Sequence, residues 1–107
     1  MNYADKLRQE VKNTNAEIIA TKFEPNKEKI MDAIVSGIKR LGYVQIDTSG
    51  CHTGTYEGDC ASSAAGSLKN SDLIVFADWL TKEGFDVCPM WWGYSSDGFP
   101  DMLKIRL

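Results

Sequence analysis

The segment Asp47-Thr48-Ser49-Gly50-Cys51-His52-Thr53-Gly54-Thr55-Tyr56-Glu57-Gly58-Asp59 sets the chain's one histidine beside a cysteine, three carboxylates and several hydroxyls. Its glycines would let backbone N–H groups converge on an anion, and its hydroxyls would add donors. It matches neither G-x-x-x-x-G-K-[ST] nor G-x-G-x-x-G and holds no Lys or Arg, so a phosphate would need counter-charge from elsewhere. A solvated acidic surface loop is the alternative reading. Cys51 and His52 suggest a thiol nucleophile, because an imidazole lowers the thiol pKa. Adjacent residues of an extended chain point to opposite faces, so this only histidine would have to serve Cys60 or Cys88. Cys51, His52, Cys60 and Cys88 are also four conceivable zinc ligands, but no C-x₂₋₄-C pair exists to form a knuckle. Asp47, Glu57 and Asp59 could hold a cation or act as acid and base, though the EF-hand spacing is absent.

The second group is aromatic. In a strand Trp91 and Trp92 face opposite sides, so both are buried only where both faces of a sheet are covered. An exposed Trp beside Tyr94 makes a stacking platform or an oligomer contact, whereas the alternative places one ring in the core and one at its rim. The candidate ligand-binding set is therefore Ser49, His52, Thr53, Thr55, Tyr56, Trp91, Trp92 and Tyr94. No catalytic residue, cofactor or metal is assigned.

These groups need elements to hold them. Residues 2–21 read as helix, in one piece or two, with Ala4, Leu7, Val11, Thr14 and Ile18 on one stripe. Asn13, Thr14 and Asn15 weaken its middle. A second helix starts near Pro25 and Asn26, which suit a first turn and a cap. Ile30, Met31, Ile34, Val35, Ile38 and Leu41 form its apolar face, and Gly42 ends it. Tyr43–Asp47 reads as a strand with Val44 and Ile46 on one side. From Asp59 to about Lys69 a small-residue helix capped by Asp59 is expected. Ser71 caps a further helix with Leu73, Ile74, Phe76, Ala77 and Leu80 buried, ending at Gly84. The segment Ile38–Tyr43 echoes Leu80–Phe85, which C′ glycine chemistry explains without a duplication. Residues 85–92 and 99–107 form a β-hairpin in which Leu103, Ile105 and Leu107 alternate with Met102, Lys104 and Arg106 in a half-buried pattern. Pro89 pushes its strand to an edge or a bulge.

With 107 residues, 43% hydrophobic and 25% charged, the chain suits one globular domain and neither a disordered nor a collagen-like protein. No apolar run approaches the ~18–20 residues of a membrane span, and the first residues hold no apolar signal region. A cytoplasmic, reducing location is expected, and with it free thiols. A net charge of −3 argues against a long nucleic acid. That total is asymmetric: residues 1–42 hold eight Lys/Arg against six Asp/Glu, and residues 43–107 hold four against nine.

The ending, from the helix before Gly84-Phe85 through Val87 and a hydrophilic turn to Leu103-Lys104-Ile105-Arg106-Leu107, resembles the close of small phage-encoded accessory proteins. The resemblance covers residues 71–107, departs at Cys88-Pro89-Met90-Trp91-Trp92 and carries no catalytic motif. It implies a small accessory or anti-defence protein in the host cytoplasm and transfers no functional residue.

The expected fold is α+β, with two to three helices on one face of a small, mostly antiparallel sheet. The expected function is a self-associating, non-enzymatic binding protein that sequesters a small anionic or nucleotide-like ligand or a host factor. Two alternatives stand beside it: a protein–protein inhibitor using an aromatic acidic surface, and a small cysteine-dependent enzyme.

Overall fold

The computed structural model describes residues 2–47, 54–66, 68–91 and 98–107. Helix α1 (Tyr3–Ile18) is capped by Asn2, whose Oδ1 accepts from the Asp5 amide at 2.9 Å. It runs into a π-type turn over Ile19–Phe23 and a 3₁₀ turn over Glu24–Asn26, and then into α2 (Lys27–Leu41). Strand β1 (Val44–Asp47) follows, then α3 (Tyr56–Ala64), α4 (Asn70–Lys82), β2 (Asp86–Met90) and β3 (Met102–Arg106). The fold is α+β, and its sheet is antiparallel with strand order β1-β3-β2.

Register explains the core. Val44 pairs with Ile105 and Ile46 with Leu103, so all four point to the side where the helices lie, and all four are fully buried. Helices α2 and α4 bring Ile30, Ile34, Leu73, Phe76 and Leu80 against them. Phe23 closes the other side of α4, with its ring centroid 4.9 Å from Phe76 and 5.3 Å from Trp79. The π turn makes this possible. At ~100° per residue an unbroken helix would point Phe23 about 160° away from Leu7; absorbing one extra residue turns it back by about 100°, toward α4.

Several local expectations change. The small-residue helix is capped four residues early and ends at Ala64, short of Lys69: Thr55 caps it by accepting from the Gly58 amide at 3.0 Å, and Asp59 lies inside its first turn. Lys69, not Ser71, is the N-cap position of α4, where the Asp72 carboxylate accepts from the Lys69 amide. Ser71 is exposed. Asn26 donates its side-chain N–H back to the Lys22 carbonyl and does not cap α2. Val35 and Leu41 at the margins of the α2 face, and Ile74 and Leu107, are exposed, while Val75, Trp79 and Met102 are buried. Trp79 is accommodated because its Nε1–H donates to Glu24 Oε1 at 2.9 Å. The largest departure is α1, which buries none of its residues. Other expectations match: Gly42 and Gly84 take the left-handed backbone at their helix ends, and Pro89 lies on edge strand β2.

Helix α3 is set by one close approach. Thr55 N–H donates to the Gln45 carbonyl at 3.0 Å, and the Gln45 amide donates to Thr55 Oγ1, so the start of α3 lies along the open edge of β1. A Cβ on Gly58 would stand 1.8 Å from the Gln45 carbonyl oxygen. Gly58→Ala is therefore expected to cost about 3 kcal/mol, the upper end of overpacking penalties, and to lower Tm by ~12 °C or more. Gly54→Ala, whose Cβ would lie 3.0 Å from the same oxygen, should cost less. Thermal melts of the two variants measure the difference; equal, small shifts would contradict the close approach.

Candidate functional site

Of the eight candidate binding residues, Thr55, Tyr56 and Trp91 lie among the described residues; Ser49, His52, Thr53, Trp92 and Tyr94 lie outside them. Thr55 is buried, and its hydroxyl is engaged by the Gly58 and Gln45 amides. Tyr56 is 75% exposed on α3, and the Cys60 thiol one turn away holds its phenol above the usual value. The glycines expected to open backbone donors toward an anion serve the fold instead. Gly58 gives its amide to Thr55, and both Gly54 and Gly58 let the chain pass close to Gln45.

Trp91 follows the last residue of β2. Its ring is 60% exposed while its Nε1–H donates to the Gly98 carbonyl at 3.0 Å. The only polar atom of the side chain is thus tied to the protein, and an apolar plate is left facing outward. The surrounding frame is well held. Asp101 N–H donates to the Met90 carbonyl at 2.9 Å, and Asn70 Nδ2 donates to the Pro100 carbonyl at 2.9 Å and to Asp101 Oδ1 at 3.1 Å. These bonds fix residues 98–101 against the first turn of α4.

Register brings the two singled-out segments to one end of the sheet. Met102 of the central strand pairs with Asp47 on one side and with Met90 on the other. The chain therefore leaves β1 after Asp47 and β2 after Met90 about 10 Å apart, two strand spacings, at the same end. Asp47 and the buried Asp101 add carboxylates there. Asp47 and Trp91, which border the two segments singled out in the sequence, thus lie at the same end of the sheet.

Three cations of the basic first part are held by carboxylates of the second. Lys22 pairs with Asp72 at 3.2 Å, Lys27 with Glu83 at 2.7 Å, and Arg40 grips Glu57 with two bonds of 2.6 and 2.9 Å. Each pair joins a cation of residues 1–42 to an anion of residues 43–107. The Arg40 guanidinium holds the Glu57 carboxyl below the usual carboxylate range, and the hydrogen bond from Lys27 to Glu83 raises the Lys27 ammonium above its usual value.

A further surface was not anticipated. Along α1 the apolar stripe is open, with Leu7 60% and Val11 51% exposed. An apolar groove runs beside it, walled by Leu7, Val11, Ile18, Ile74, Val75 and Phe99. The three-four spacing showed where the stripe was and carried no signal that it would stay uncovered.

Among the described residues, Cys60 and Cys88 are free thiols, and no three His, Cys, Asp or Glu groups converge as metal ligands. Among the same residues no helix is long and apolar enough to cross a membrane.

The Arg40–Glu57 pair makes stability depend on pH. Because the folded Glu57 pKa lies below its unfolded value of ~4.3, the pair stabilises above that pH and its contribution is lost as pH falls through the folded value. Urea midpoints of the wild type and Glu57→Gln should differ at about pH 7 and converge toward about pH 3. A gap that does not change with pH would contradict the pairing. Compared with protein-family models, with curated proteins and with solved structures, the chain matches none of them.

Proposed function

We propose that this chain is a non-enzymatic binding protein that captures a protein partner at the sheet end marked by Asp47, Met90 and Trp91. The observation that carries the reading is Trp91: an exposed indole whose only donor is bonded inward to Gly98, on a frame fixed by Asn70 and Asp101. A rigid aromatic plate costs little ordering entropy on contact, and Trp is enriched among the residues that dominate interface energies. The indole is the apolar contact point at this end, since Asp101 beside it is buried and accepts from Asn70. Lys22, Lys27 and Arg40 are paired with carboxylates elsewhere, so they supply no counter-charge to a phosphate-bearing ligand here.

The test is affinity capture from cells with wild-type and Trp91→Ala chains, alongside native mass spectrometry for retained small molecules. Trp91→Ala should keep the far-ultraviolet spectrum and lower stability by only about 1 kcal/mol, the loss of one hydrogen bond. Loss of a specific captured protein in the variant is the expected result. Identical capture by both chains would end the reading, and a co-purifying anion would favour the small-ligand alternative.

A further inference from the structure

We propose that α1 is a self-association element, which pairs antiparallel with α1 of a second copy across a two-fold axis near Val11. The starting point is that Leu7 and Val11 stay 60% and 51% exposed, although Ile74, Val75 and Phe99 of the same chain line the groove beside them. On one side of α1 the α4 residues that face it are Asp78 and Lys82, an ion pair of 3.1 Å. Closing α1 onto them would strip that pair of water. On the other side lies the apolar groove, with Ile74 half exposed and Phe99 at its end. A ridge and a groove side by side on one chain form a self-complementary surface, so a two-fold axis fills both grooves at once.

Charge selects the direction. Eleven residues make three helical turns with only ~20° left over, so Leu7 and Ile18 share one line and Lys6 and Glu17 share another, each pair ~16 Å apart. Lys6 and Glu17 stand on the flank of α1 away from α4, both exposed, and neither has an ionic partner among the described residues. Parallel pairing would leave these two charges on opposite sides of the seam. Antiparallel pairing about a point near Val11 sets Lys6 of each copy against Glu17 of the other, twice by symmetry, and Glu10 against Asn13. It also opposes the helix dipoles.

The size of the seam sets the strength. Sixteen residues give ~24 Å of helix, which alone falls short of the ~800 Å² per partner of a standard interface. Ile74 and Phe99 extend it, and the dimer should form in the micromolar range.

Sedimentation velocity of the full chain over a concentration series from about 5 to 500 μM tests this. A monomer–dimer equilibrium is expected for the wild type. Leu7→Asp should abolish it while leaving Tm of the dilute monomer nearly unchanged, because Leu7 is not in the core. Lys6→Glu or Glu17→Lys alone should weaken the dimer about tenfold, and the two together should restore it to within about twofold. A chain that stays monomeric throughout overturns the proposal, as does a Leu7→Asp chain that still dimerises. A combined charge exchange as weak as either single variant overturns the antiparallel pairing.

Discussion

The seating of Phe23 between Phe76 and Trp79 is the contact from which the arrangement of this protein follows. It draws the chain after α1 onto α4, and it requires the π turn that changes helical phase just before it. Once Phe23 is in place, α4 is buried on two sides, by the sheet residues Leu103 and Ile105 and by this aromatic cluster. What remains of α4 for α1 is a polar strip with Ile74 as its apolar position. The exposure of α1 is thus a consequence of a core to which it adds only Ile18, at its C-terminal end.

The same core accounts for the charge pattern. A formal −3 conceals a basic first part and an acidic second part, and the fold sets them face to face. Lys22, Lys27 and Arg40 lie on or beside α2, while Asp72, Glu83 and Glu57 come from α4 and α3. Half-exposed pairs of this kind add modestly to stability. Their larger effect is on function, because cations already bonded to carboxylates are poor hosts for a free anion.

Much of the fold was legible because it is written in local patterns. The α2 face, Gly42 after it, the Val44–Ile46 alternation and the edge position of Pro89 all depend on residues within a few positions of one another. The α3 cap was misplaced because Asp59 and Thr55 are both good caps, and the choice is made by Gln45, ten residues from Thr55, which pairs with its backbone. The role of Gly58 leaves no local trace, since only the approach of a distant carbonyl reveals it. The π turn is similar: the extra residue has meaning only after Phe23 has found Phe76, 53 positions away. Periodicity located the α1 stripe, and it is silent on what covers a stripe. The site was half legible. Both segments stood out by composition, but that their described ends, Asp47 and Trp91, lie at one end of the sheet came from strand register.

Pro89 has an effect beyond marking an edge. A strand on the rim of a sheet offers a row of donors and acceptors that a further strand can copy, and such copying has no natural end. Proline breaks that row by removing a donor, and the Asp86–Arg106 pair adds charge beside it. Growth by strand addition is discouraged in a protein that also leaves apolar helix surface open. At the β2 edge, raising the concentration therefore adds little tendency toward open-ended strand stacking.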